Sequence, residues 1–295
     1  MMKFSPLFYE SGAAFRAAPE KRLLLFGMSG LGKTYAANML RSAGGWFHYS
    51  VDYRIGTRYM GELITDNFKR EAMKIPALAR LLRTDSIYIA SNITFENLAP
   101  LSTYLGTPGN ADKGGLTWDE YRKRQEEHRT AEISALLDTP RFIARALDLY
   151  GYAHFICDSG GSICEVVEPD NPSDPVLSAL SMTMLPVWIE GSDDHTQELV
   201  ARFDRAPKPL YFQENFLAEI WQTYLSENGM SETDVDPDLF IRWAFAKLLA
   251  HRQPRYRSMA ENWGVTIAAD DMMQVRAEAD LIEVIAVALD KARLP

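Results

Sequence analysis

Gly27-Met28-Ser29-Gly30-Leu31-Gly32-Lys33-Thr34 fits G-x-x-x-x-G-K-[ST] at every specified position, and the chemistry of a bound phosphate explains why each residue type is needed. The glycines let backbone N–H groups curl around phosphate oxygens with no Cβ in the way. A helix that starts directly after the loop turns its positive end toward the same anion. Lys33 brings a mobile cation to the β- and γ-phosphates, and Thr34 brings a hydroxyl to Mg²⁺. Both flanks agree with this reading. Residues 21–26 are a short leucine-rich run bounded by glycine, suited to a buried parallel strand, and residues 35–42 read as a helix. A chance match to the motif would lack that setting. The eight residues Gly27, Met28, Ser29, Gly30, Leu31, Gly32, Lys33 and Thr34 are therefore expected to hold ATP, or GTP, with Mg²⁺.

Working outward, short apolar runs alternate with helical stretches. Further strands are expected at 46–51, 152–157, 185–190 and 265–268. Thr117 with Glu120 three positions on is a capping box for a charged helix to about 137. Thr139 and Pro140 suit the cap and first position of a helix to about 150. Asp193 or Asp194 opens another helix, with more at 215–227, 238–251 and 277–292. Residues 1–20 read as irregular, and 106–115 as a flexible Gly/Pro/Asn stretch. Strand–helix alternation of this kind implies a three-layer, mostly parallel α/β sheet. The nucleotide-binding core is expected from residues 1–60 and 151–295. Residues 61–150 form a helical insertion, an acceptor-binding or partner-binding lid.

The bulk properties narrow the function. At 295 residues, 47% hydrophobic and 24% charged, the chain can bury a core without staples. A formal charge of −9 argues against general nucleic-acid binding, which needs basic surface. Cys157 and Cys164 match no zinc spacing, and a reduced, cytoplasmic setting is the simplest expectation. No run approaches the roughly 20 apolar residues of a membrane helix, and no secretory leader is legible at the start.

Several side chains outside the loop carry candidate chemistry. Asp52 stands at the C-terminal end of an expected parallel strand, the edge where open α/β sheets bind ligands. It can orient a hydroxyl, hold a magnesium-bound water or simply be solvated. Asp158 ends the apolar run Phe155-Ile156-Cys157 and either serves Mg²⁺ or caps the turn into Ser159-Gly160-Gly161. Arg202, Arg205 and Lys208 cluster near Pro207 and Pro209 as a cationic lid segment or a solvated helix face. Arg252 either binds an anion bidentately or answers a helix C-terminal dipole. Residues 122–127 read as a solvated helix face. His195 belongs to a helix start and His154 to a strand.

Four segments stand in a recognisable order: the phosphate loop; Ser50-Val51-Asp52-Tyr53-Arg54-Ile55; Phe155-Ile156-Cys157-Asp158-Ser159-Gly160-Gly161-Ser162; and Arg202 to Leu210 with Arg252-Gln253-Pro254-Arg255-Tyr256. Together they resemble the shikimate kinase family, within the small-molecule P-loop kinases, over about half the chain. The resemblance implies an α/β fold of the P-loop kinase type. It further implies that Asp52 orients the acceptor hydroxyl and that Gly160 and Gly161 form the turn beside the acceptor. Arg202, Arg205 and Lys208 would meet the transferring phosphate, and Arg252 would grip an anionic group of the acceptor. The chain departs from the family pattern at Ser50 (an acid in the family), Gly56 (a glutamate), Ser159 (inside a glycine triplet), Lys208 (an arginine) and through the insertion. An acceptor other than shikimate is expected. The leading expectation is ATP-dependent phosphorylation of a small molecule. An ATPase coupled to a protein partner and a non-catalytic nucleotide sensor are the alternatives.

Overall fold

The computed structural model describes residues 3–4 and 6–292. α1 (Gly12–Ala17), β1 (Arg22–Phe26), α2 (Lys33–Ala43) and β2 (Trp46–Ser50) come first. α3 (Val51–Arg54) runs into a π-helical turn, Ile55–Tyr59, followed by α4 (Gly61–Met73), α5 (Pro76–Arg83) and α6 (Ala99–Leu105). Next are α7 (Trp118–Leu137), α8 (Thr139–Tyr150), β3 (His154–Asp158), α9 (Ile163–Val166) and α10 (Pro175–Ser181). β4 (Leu185–Glu190), α11 (Asp193–Arg205), α12 (Glu214–Asn228) and α13 (Pro237–Trp263) lead to β5 (Val265–Ala268), α14 (Ala269–Gln274) and α15 (Glu278–Lys291).

The chain divides into two compact units. The first gathers residues up to Val51, Ile133–Ala206 and those from Phe245 onward; the second is Asp52–Glu132 with Pro207–Ala244. The expected insertion at 61–150 shares residues 61–132 with the second unit. Residues 133–150 belong instead to the first, because α8 packs on β2 and β3 and Phe142 meets Tyr49 at 4.9 Å between ring centroids. Residues 207–244 join the second unit from far along the chain.

In the first unit one five-stranded sheet runs β2-β3-β1-β4-β5, and every pairing is parallel. The fold is α/β in three layers, as the alternation of strands and helices predicts. Side chains on successive strand residues point to opposite faces, and the helices follow that alternation. Phe47 and Tyr49 face Phe142 of α8. Trp46 faces the other way and donates its Nε1–H to Glu278 of α15 at 2.8 Å. α2 and α15 share that face, while Tyr256 of α13 packs against Phe26 and Trp188 on the opposite one. Leu24, Leu25 and Phe26 are fully buried, as a strand covered on both faces requires. After β1 the chain moves toward β2, and after β3 it crosses to β4. The switch point therefore lies between β1 and β3, where open sheets of this kind form a crevice at the carboxyl edge.

Several expectations change. Residues 1–20 contain α1, capped by Ser11, whose hydroxyl accepts from Ala14 N. Thr139 is the first residue of α8 rather than its cap, and its hydroxyl donates to Leu136 O at 2.8 Å. The helix expected at 238–251 continues through Pro254 to Trp263. Proline inside a helix removes one backbone bond and crowds the preceding turn, but tertiary ties carry α13 past it. Arg255 donates to Cys164 O and Val167 O at 2.7 and 2.6 Å, and Tyr256, Met259 and Trp263 are buried. Residues 106–115 form a tied turn, with Gly109 N donating to Leu116 O and Gly115 N to Asn110 O, both at 2.9 Å.

The second unit has an aromatic centre. Trp118 stacks on Trp221 at 4.8 Å, and Trp221 meets Phe240 edge-on at 4.9 Å. The charged run at 122–127 is more than a solvated face. Arg124 is buried and donates to Tyr104 O, Asn67 Oδ1 and Glu120 Oε1. Gln125 is buried too, bonded to Leu210 O and Phe212 N. Gly56 also fits its place here: a Cβ there would lie 2.8 Å from Ile93 Cδ1. Any larger residue at position 56 has to displace Ile93.

Candidate functional site

The phosphate loop spans the end of β1 and the start of α2. Gly27, Gly30 and Gly32 have φ of 133, 88 and 95°, a region open to glycine and costly for other residues. Gly27 is also pinned by space, since a Cβ there would sit 2.7 Å from Ile189 O. Met28 and Leu31 are buried and anchor the loop, while Ser29 and Gly30 are exposed at its crest. Gly32 is the N-cap of α2 and offers no capping side chain. The first amides of the helix are therefore presented to an anion, with the helix dipole in support.

Lys33 is buried, and its Nζ donates to Gly27 O and Met28 O, each at 2.8 Å. The ammonium is thus held across the loop it belongs to. Thr34 donates its hydroxyl to Asp158 Oδ2 at 2.7 Å. That bond joins the start of α2 to the end of β3 across the crevice. Asp158 Oδ2 is the oxygen that receives it. The turn after Asp158 is fastened by Ser159, whose N and Oγ both donate to Leu25 O, at 3.2 and 3.0 Å. Ser159 thus ties β3 to β1. His48 Nε2 lies 3.9 Å from the same Asp158 oxygen. Ser50 ends β2 in register with Asp158.

The donor set fits a divalent cation in its hardness. A threonine hydroxyl and an adjacent carboxylate oxygen are the oxygen ligands Mg²⁺ takes beside phosphate oxygens and water. Thr34→Ala is expected to shift the Mg²⁺ requirement of any nucleotide-dependent activity upward, with Thr34→Ser far milder. Magnesium titrations of the three proteins check this, and superimposable curves would remove Thr34 from the ligand set.

Gly160 and Gly161 continue the turn. Tyr256 donates its hydroxyl to Gly161 O. A Cβ on Gly161 would lie 3.2 Å from Ser29 Oγ and 3.5 Å from Arg252 Nη1, so the turn, the loop crest and Arg252 converge. Arg252 is in the middle of α13, away from the helix C-terminus, so its charge does not answer that dipole. Its Nε donates to Glu165 Oε1 at 3.1 Å, and both side chains are buried. Burial works against the guanidinium charge, but Glu165 together with Tyr256 and Cys164 offsets it and holds Arg252 above its usual pKa range. His251 Nε2 lies 3.5 Å from the other oxygen of Glu165. Removing one partner of such a pair leaves a buried charge uncompensated, which costs about 3–5 kcal/mol. Arg252→Ala is expected to lose stability in that range by denaturant unfolding. Arg252→Met combined with Glu165→Met, which removes both charges, is expected to lose clearly less.

Arg202 and Arg205 both occupy the last turn of α11 and are exposed. Arg202 reaches back over the loop: a Cβ on Gly30 would be 3.0 Å from its Nη2. Arg202 also lines a cleft of about 590 Å³ whose floor is Gly30–Gly32 and whose walls include Tyr35, His195, Met272, Met273 and Arg276. These wall residues carry no motif in the sequence. Tyr35, directly after the motif, is 53% exposed, and an exposed aromatic at a helix start is the one local signal it offers. His195 is fixed by a capping box with Ser192, at the helix start where the sequence places it. Asp52 and Lys208 belong to the second unit. Asp52 sits in the first turn of α3, two residues past the end of β2, rather than at an open strand end. Lys208 is exposed.

Cys157 and Cys164 are free and buried, and burial raises both thiol pKa values. No described helix is long and apolar enough to cross a membrane.

No protein-family model matches the chain, and no curated protein matches it. Among solved structures, shikimate kinase from Bacteroides thetaiotaomicron aligns with it at 14% identity and a TM-score of 0.39, over 92% of this chain and 97% of that one.

Proposed function

We propose that this protein transfers a phosphoryl group from ATP to a small-molecule hydroxyl with Mg²⁺. The observation that carries the reading is the complete phosphate loop with Thr34 bonded to Asp158 at 2.7 Å. A loop serving another anion has no need of a carboxylate beside the motif's own hydroxyl. The nucleotide would lie with its phosphates on residues 27–34 and its base in the cleft beside Tyr35 and Met272. The cation held by Thr34 and Asp158 would neutralise charge on the β- and γ-phosphates. Lys33 and Arg202 would add positive charge where the transferring group becomes more negative. As the order of segments resembling shikimate kinases implies, Asp52 would orient the acceptor hydroxyl. Arg205 and Lys208 would be further lid cations.

The test is ADP release and phosphate incorporation by the full chain with Mg²⁺-ATP, with and without a small-metabolite fraction. Stimulation by that fraction, with labelled phosphate recovered on a metabolite, supports the kinase. Stimulation only by a protein fraction points to a coupled ATPase, and tight binding with no turnover in any fraction points to a sensor; either overturns the proposal. The second unit is proposed to bind the acceptor. Gly106 to Gly115 is then expected to gain protection from hydrogen exchange when nucleotide and acceptor are added together. No change there, with clear protection of residues 27–34, would assign the unit to a partner instead.

A further inference from the structure

The phosphate loop has two ends, and the structure tells them apart. At one end Gly30, Leu31 and Gly32 floor the 590 Å³ cleft, with Arg202 leaning over Gly30. At the other, Thr34 meets Asp158, and the turn from Ser159 to Gly161 lies against Ser29. A cation held by Thr34 and Asp158 would favour the terminal phosphates on the Asp158 side, and the base would then lie toward the cleft. Gly161 borders that terminal-phosphate end. The point a Cβ on Gly161 would occupy is 3.2 Å from Ser29 Oγ, 3.6 Å from Ser29 N and 3.5 Å from Arg252 Nη1.

Arg252 is built to present that nitrogen. A guanidinium is a rigid planar fork with donors on more than one edge. Glu165 takes the Nε edge at 3.1 Å, and Nη1 lies 3.5 Å from the point a Cβ on Gly161 would occupy, beside Ser29. Tyr256, one turn further along α13, holds the Gly161 carbonyl, and Arg255 fastens the same helix to Cys164 O and Val167 O. Arg252 thus has a fixed position relative to Ser29 and the turn. The absence of a side chain at Gly161 is what leaves the approach open.

From this geometry we infer that Arg252 contacts the γ-phosphate of the bound nucleotide rather than the acceptor, and so distinguishes nucleoside triphosphate from diphosphate. Glu165 acts as a positioning residue that aims the guanidinium and balances its charge when no terminal phosphate is present. Together with Arg202 over Gly30, this places one arginine on each side of the loop. The inference rests on the nucleotide reading of the loop.

The experiment is calorimetric titration of the full chain with ADP and with ATPγS, both with Mg²⁺. Three proteins are compared: wild type, Gly161→Ala, and Arg252→Met combined with Glu165→Met. Gly161 does not have a positive φ, so alanine is accepted by the backbone while its methyl stands between Arg252 and the loop. The double substitution removes both buried charges and keeps a folded reference if a single arginine variant fails to fold. Wild type is expected to prefer ATPγS over ADP. Both variants are expected to lose ATPγS affinity by about 10- to 100-fold, the scale of a hydrogen bond to a charged group, with ADP affinity changed less than about threefold. Folded variants that keep the wild-type preference, or that weaken both ligands equally, would overturn the inference and leave Arg252 a structural group. Absence of binding of either nucleotide to wild type would instead overturn the nucleotide reading itself.

Discussion

Replacing Lys33 by alanine is expected to abolish nucleotide turnover and to weaken triphosphate binding by about 10- to 100-fold, the loss that follows removal of a charge-assisted contact. Two separate roles end together. In the structure the ammonium bridges Gly27 O and Met28 O at 2.8 Å each, and in the complex it would neutralise the β- and γ-phosphates. The phosphate contact is the larger part, because it strengthens as charge develops in phosphoryl transfer. Nucleoside binding should change little, since the cleft proposed for the base, lined by Tyr35 and Met272, does not include Lys33. Loss of the ammonium also leaves two loop carbonyls without a donor, so a small fall in melting temperature is expected. Calorimetry with ATP and adenosine, beside circular dichroism to establish the fold, measures all three. Wild-type triphosphate affinity in a folded Lys33→Ala protein would sink the reading of the loop and everything built on it.

The second large effect is expected at Asp52. Asp52→Asn keeps the size of the side chain and removes its charge and most of its basicity. Nucleotide affinity should stay within a few-fold, because residues 27–34 supply that binding. The phosphoryl-transfer step should fall by about 10²–10⁴, the range for a positioned acid or base. Much of the loss would reflect positioning, since the loose transition state of phosphoryl transfer asks little of a base. Asp52 lies in the first turn of α3 and is half-buried, so a modest stability change is expected and has to be measured alongside. Single-turnover transfer and nucleotide titration of the same protein separate the two properties. Near-normal transfer would take Asp52 out of the mechanism and leave Asp158, already joined to Thr34, as the carboxylate at the centre. Loss of Mg²⁺-nucleotide binding instead would make Asp52 a metal-shell residue.

The phosphate loop was legible because its information is consecutive. Eight neighbouring residues, three of them glycines at positive φ, encode a backbone shape that neighbours further along the chain need only accept. The strands were legible for a related reason: a buried parallel strand requires apolar side chains on both faces, and runs such as Leu23-Leu24-Leu25-Phe26 meet that requirement locally. The full extent of α13 was not, because Pro254 is a local stop signal. Arg255, Tyr256 and Trp263 override it through contacts with residues some ninety positions away. Arg124 and Gln125 were read as solvated for the same kind of reason. Their charge and polarity are local facts, whereas the carbonyls of Tyr104 and Leu210 that receive them are placed by the fold.

The sequence by itself therefore determined where on the chain the phosphate-loop motif lies, and in which class of sheet. The tertiary structure decided what surrounds that loop. Thr34 and Asp158 are 124 positions apart, and they meet only because parallel pairing of β1 with β3 brings both carboxyl ends to one edge. Arg252 and Glu165 are 87 apart, and a lone arginine in a sequence cannot show whether its charge is already matched. Gly161, Ser29 and Arg252 converge by packing of α13 against the turn after β3. Backbone conformation is set largely by each residue and its near neighbours, so motifs can be read. Charge pairing and side-chain approach depend on which distant segments share a face, and that is settled when the sheet closes and the helices cover it.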